Sequence, residues 1–141
     1  WRVFNYELPN ASDNNQSCIV QMEMAGKRIL LSGDIDKKAE KQLIATYGEA
    51  LKSDILIVGH HGSKSSSSEE WIAQISPEIA VVSSGFKNRF QHPHPSVLTR
   101  FSQHSIPIYN TAESGAVEIN LDESMSVTQW RMKNAPNWRQ M

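Results

Sequence analysis

Three short stretches hold the side chains best suited to chemistry: Ser32-Gly33-Asp34, Gly59-His60-His61-Gly62-Ser63-Lys64 and Asn88-Arg89-Phe90-Gln91-His92-Pro93-His94. Imidazoles and a carboxylate together suit a borderline dication such as Zn²⁺. Two adjacent histidines on a turning backbone cannot both point at one ion, so one of His60 and His61 reads as a ligand and the other as its support. Gly33, Gly59 and Gly62 permit the tight turns that such a site needs. Taken alone, Asp34 reads as a helix cap; beside the histidine pair it reads as a ligand. Ser63 to Ser68 with Lys64 is either a phosphate cradle at a helix start or a serine-rich N-cap. His92 is a functional candidate, although His-Pro-His-Pro also reads as a rigid turn, and His94 is the weaker of the two. His104 lies on an amphipathic helix and reads as surface. Cys18, in a strand with no histidine nearby, reads as core packing. The chain has no Gly-x-Ser-x-Gly elbow and no Walker loop, which removes support for serine-nucleophile and nucleoside-triphosphate chemistry.

These stretches need elements to hold them. Asp54 to Val58 is an unbroken aliphatic run ending at Gly59, a short strand buried on both faces as in a parallel or mixed sheet. Its C-terminal end is a rim, where open α/β sheets place their ligands. Upstream, Trp1 to Leu8 alternates as a half-buried strand that closes at Pro9. Ser17 to Met24 and Lys27 to Leu31 are two strands joined by a tight turn at Ala25-Gly26. Between Asp36 and about Lys52, Leu43, Ile44, Tyr47 and Leu51 recur at helical spacing behind an acidic start. Downstream, Ser68-Glu69-Glu70 opens a helix that ends before Pro77, and Ile79 to Val82 is a buried strand. A short helix over Ser96 to His104 and a strand over Ile106 to Tyr109 follow. Thr111 to Gly115 is a turn, and Ala116 to Leu121 pairs with Ser126 to Met132 as an antiparallel ribbon. The polar tail from Lys133, with Trp138, reads as loosely held. The fold class is α/β, a mixed sheet with about three helices in a single domain over residues 1–141.

Bulk properties fit that picture. The 141 residues are 39% hydrophobic and 21% charged, enough for one cored domain. A net charge of -1 means that a nucleic-acid partner must be held by a local patch or by bound cations. One cysteine excludes an internal disulfide. No stretch approaches the roughly 20 apolar residues of a membrane span, and the chain reads as a soluble piece.

Ser32-Gly33-Asp34-Ile35, then Asp54 to Val58 running into His60-His61-Gly62-Ser63, then Asn88-Arg89-Phe90-Gln91-His92-Pro93, then Thr111 to Gly115, resembles the metallo-β-lactamase-like domain of the ComEC family of competence proteins. The resemblance covers nearly the whole chain in order. It implies the second half of an αβ/βα sandwich, carried by an inner-membrane channel that imports single-stranded DNA, with this domain on the periplasmic or extracellular side. It further implies a nuclease that degrades the strand not taken up, using two divalent metal ions, Zn or Mn, in two-metal phosphodiester hydrolysis. Asp34 would bridge the metals and His61 would close the second metal site, with His60 a neighbouring support or a substrate contact and the roles of the two histidines exchangeable. Asn88 and His92 would line the cleft, with His92 donating a proton or contacting phosphate; Ser63 and Lys64, from the serine run, are the further candidates for substrate contact.

The family's hallmark His-x-His-x-Asp-His is absent from the chain, as is the lone histidine that follows it. The expectation is a truncated domain whose first half supplies most ligands, so that this fragment binds metal weakly or not at all and is inactive. DNA and the transmembrane portion of the same parent are the partners implied, and bare sheet edges would allow a homodimer. Two other readings are a non-catalytic DNA-guiding module with a degenerate metal site and a free-standing metallohydrolase of small phosphoesters.

Overall fold

The computed structural model describes residues 1–122 and 124–134; of the tail expected to be loose from Lys133 onward, Lys133 ends a short helix, and Trp138 lies outside the described residues. Six strands form one mixed sheet in sequence order: β1 (Arg2–Phe4), β2 (Ile19–Met24), β3 (Lys27–Leu31), β4 (Ile55–Ile57), β5 (Ile79–Val82) and β6 (Ile108–Asn110). The pairs β1–β2 and β2–β3 are antiparallel, and β3 through β6 are parallel. Each parallel step is bridged by a helix: α1 (Lys37–Tyr47), α2 (Glu69–Ile75) and α3 (Pro95–Gln103). Right-handed crossovers that all step in one direction put the three helices on one face of the sheet.

The helix starts follow from their caps. The Asp36 side chain accepts from the N–H groups of Lys38 and Ala39 at α1, and Ser68 accepts from Trp71 at α2. At α3, His94 accepts from the Ser96 N–H ahead of Pro95. The α1 helix stops at Gly48 and continues only as a 3-10 turn to Leu51, shorter than the periodicity over Asp36 to Lys52 suggested. Under these helices Leu30, Leu56 and Ala80 pack with Leu43, Trp71, Ile72 and Phe101 in one buried cluster. Burying each large side chain contributes about 1.5–3 kcal/mol.

The other face carries an apolar row running across all six strands, Val3, Val20, Leu31, Ile57, Val81 and Tyr109, each the register partner of the next. Val81 in this row is buried, whereas Val20, Leu31, Ile57 and Tyr109 are half-buried and Val3 is exposed. The run from Asp54 to Val58 predicts a strand buried on both faces; Ile57 departs from that, half-buried on the face opposite α1, α2 and α3.

Four local readings are corrected. The first strand is three residues long, with Trp1 exposed, because β1 is an edge strand with a partner on one side only. Cys18 precedes β2 and its side chain is exposed, so it does not pack in the core. Thr111–Ser114 is a helical turn, α4, capped by Asn110. The closing ribbon, β7 (Val117–Asn120) with β8 (Ser126–Gln129), ends earlier than expected because Trp130–Lys133 forms the short helix α5. Among the described residues no helix is long and apolar enough to cross a membrane.

Candidate functional site

The three chemically promising stretches meet at the C-terminal rim of the parallel strands. The His60 N–H donates to the Gly33 carbonyl (2.9 Å) and the His94 N–H donates to the Gly62 carbonyl (2.8 Å), so the loops after β3, β4 and β5 are tied together by backbone. Gly62 allows the close approach of the loop after β5, and Gly33 that of the Ser17 segment ahead of β2. A Cβ at Gly33 would lie 2.5 Å from the Ser17 Cβ, and one at Gly62 would lie 2.6 Å from the Pro93 Cβ, and both backbones have positive φ.

His60 and His61 form a 3-10 turn in which both adopt left-handed backbone, φ 50° and 55°. Such conformations cost non-glycine residues about 1–3 kcal/mol each and persist where surrounding bonds enforce them. Here the enforcing bonds come from Ser66, whose buried hydroxyl donates to the carbonyls of Gly59 (2.9 Å) and Ser63 (3.0 Å). The consequence is divergence of the two rings. His61 turns to Asp34, with Nε2 3.8 Å from Oδ1, and its Nδ1 lies 2.7 Å from the Ser83 carbonyl. A carbonyl only accepts, so in the neutral ring Nδ1 holds the proton and Nε2 keeps a free lone pair toward Asp34. The His60 ring instead lies between the Asn14 amide (3.3 Å) and the Ser65 hydroxyl (3.5 Å) and meets the His92 ring edge-on, 6.1 Å between centroids.

Asp34 is not a cap, because Asp36 fills that role. Its backbone N–H donates to the Ser17 hydroxyl (3.0 Å), and its side chain remains 43% exposed beside the 56% exposed His61 ring. A carboxylate and an imidazole with a free Nε2 have the donor chemistry for one corner of a metal site. They do not complete it: no group of three His, Cys, Asp or Glu side chains suited to an ion exists among the described residues.

The loop after β5 forms the opposite wall. Asn88 spends its amide on that loop, donating to the carbonyls of His92 (2.7 Å) and Gly85 (3.0 Å) and accepting from the His92 N–H (2.8 Å). It therefore positions His92 and has no free polar atom directed at a reacting group. Burial holds the His92 pKa below the usual histidine value, and the nearby His60, His61 and His94 rings lower it further by charge repulsion. Beside His92 lies a cleft of about 340 Å³ lined by Phe86, Lys87, Asn88, Gln91 and Pro93.

The serine run is structural in its bonding. Ser63 is buried, its hydroxyl 3.0 Å from that of Ser65, and Ser68 is the α2 cap, whereas Lys64 is exposed. The residue that organises this run was not singled out from sequence. Glu40 on α1 is 1% exposed and accepts from the N–H groups of Ser67 and Ser68. Burial raises its pKa, against the pull of those N–H groups and of Arg100. Arg100, from α3, donates to the carbonyls of Ser66 and Ser67. An acid three and four residues before Leu43 and Ile44, inside the apolar stripe of α1, was the signal available. His94 caps α3, and His104 is half-buried and pairs with Glu69 at 2.5 Å instead of lying free on the surface.

No family model matches the chain. Among curated proteins, Competence protein ComA of Neisseria gonorrhoeae is 41% identical over 115 residues, 82% of this chain and 17% of that protein. ComE operon protein 3 of Bacillus subtilis is 40% identical over 119 residues, 84% of this chain and 15% of that protein. Recombination protein 2 of Haemophilus influenzae is 38% identical over 132 residues, 93% of this chain and 16% of that protein. The chain thus spans about one sixth of the length of the relatives it matches. Over most of its own length this chain is homologous to a segment of the ComEC-family proteins named for competence, for the ComE operon and for recombination.

Proposed function

We propose that this chain is the second half of a metallo-β-lactamase-like phosphodiesterase domain in a DNA-uptake protein of natural transformation, lying outside the membrane next to the transmembrane part of the same parent. The Asp34–His61 pair carries the reading. It puts a half-exposed carboxylate and an imidazole with a free Nε2 side by side at a sheet rim, the imidazole on a strained turn and oriented by the Ser83 carbonyl. Divalent ions held there would supply a hydroxide nucleophile and neutralise charge on the phosphoryl oxygens. The remaining donors would come from a second β-layer packed on the apolar row from Val3 to Tyr109.

The chain's own residues then divide the work. Asp34 and His61 would hold the cations, while Ser83 orients the His61 ring through its carbonyl and Asn88 fixes His92 across the cleft. His92 would contact phosphate across that cleft; its lowered pKa disfavours the protonated ring that delivering a proton to the leaving oxygen would need. Names given to the relatives, competence and recombination, support the DNA context. Paramagnetic broadening by Mn²⁺ in NMR spectra of the chain tests the pair even at weak affinity. Selective loss of the His61 ring and Asp34 side-chain signals supports the reading, and broadening that spares both removes it.

A further inference from the structure

The loop that carries His92 exposes two aromatic rings, Phe86 at 69% and Phe90 at 61%. Folding has left both in water, and both have cations on their faces. The Arg89 guanidinium lies 4.6 Å from the Phe90 centroid, and Lys87 and Arg131 lie 5.5 and 5.8 Å from that of Phe86. Phe90 also stacks on His92 at 26° and 5.6 Å, which joins the patch to the rim site. Asn88 bonds to both sides of the loop and holds it before any ligand arrives. Aromatic faces interleaved with cations match a strand of bases and phosphates, because every base offers a π-face whatever its sequence. A base inside a duplex has no free face, so a ring at the surface selects a base that has left its stack. Glu113 on the cleft wall opposes a phosphate there, and this directs the backbone toward the Lys87 and Arg89 side.

We infer that Phe86 and Phe90 are stacking platforms for unpaired nucleobases, with Lys87 and Arg89 meeting the phosphates, so that the site takes a single strand or a frayed end; Arg131 is held on the opposite wall by the carbonyls of Ala112 and Glu113. This rests on the phosphodiester reading above and specifies its substrate class. The test is fluorescence anisotropy of the purified chain in EDTA with three labelled oligonucleotides of one length: oligo-dT, the same backbone with abasic sites, and a blunt duplex. Stacking predicts that oligo-dT binds about tenfold or more tighter than the abasic strand and tighter than the duplex. It also predicts that the double substitution Phe86→Ala with Phe90→Ala erases the preference while circular dichroism stays unchanged. An oligo-U strand separates sugar from base, and the same ring-dependent preference there supports stacking. Equal binding of normal and abasic strands, tighter binding of the duplex, absence of binding, or a preference that survives loss of both rings overturns the inference. Because EDTA removes metal chemistry, any of those outcomes leaves the Asp34–His61 reading standing to be tested by cleavage.

Discussion

His61 Nε2 stands 3.8 Å from Asp34 Oδ1, and the turn that puts it there holds His61 at φ 55° behind His60 at φ 50°. Glycine adopts that backbone without penalty. His61→Gly is therefore expected to raise stability by about 1 kcal/mol, measured as a later urea midpoint at unchanged m-value, while it removes the imidazole. A loss of stability would mean that the ring holds the fold together, contrary to the functional role argued above.

Gly62 behaves oppositely. Its φ is +79° and an added Cβ would meet Pro93 Cβ at 2.6 Å and Cα at 3.0 Å, so the loops after β4 and β5 would have to part. Gly62→Ala is expected to cost about 3 kcal/mol and to break the His94–Gly62 backbone bond. Urea denaturation gives the first, and faster exchange of the His94 amide gives the second.

Glu40 is the clasp of the serine run. Removing its carboxylate leaves the Ser67 and Ser68 N–H groups without acceptors, so Glu40→Ala should cost about 3 kcal/mol. Glu40→Gln keeps an acceptor oxygen and should cost about 1 kcal/mol. Equal losses in the two variants would show that the negative charge holds the run and that a neutral acceptor oxygen cannot replace it.

His92 sets an acid limit on stability. Its folded pKa is depressed, first by burial and then by His60, His61 and His94, so the folded state binds fewer protons than the unfolded one near and below the ordinary histidine value. The associated stability is fully present above about pH 6.5 and is lost as pH falls through the depressed folded value. Urea midpoints between about pH 7.5 and 5 should fall, and His92→Asn should flatten that fall. An unchanged slope in the variant would place the acid sensitivity elsewhere.

The sheet was legible from sequence because Asp54 to Val58 and Ile79 to Val82 are aliphatic runs that end at turn-forming residues, and Asp36 and Ser68 are unambiguous caps. The meeting of three rims followed from where those runs stop. Less legible were features that depend on tertiary partners. Asn88 does line the cleft, as its place in the loop suggests, but it also spends its amide on its own loop, which no spacing rule reports. Cys18 looked buried because it adjoins a strand, but the strand starts one residue later. Glu40 was hidden because burial of an acid shows only once the serine run folds over it.

The central claim is that Asp34 and His61 are two of the donors of a phosphodiesterase metal site. It is tested most directly by Mn²⁺- or Zn²⁺-dependent cleavage of labelled single-stranded DNA. The protein assayed should be the complete product of the gene that encodes this chain, compared with its Asp34→Ala and His61→Ala forms. Loss of cleavage by about 100-fold or more is expected in each variant, with the folded state retained. Undiminished cleavage in both variants would contradict it.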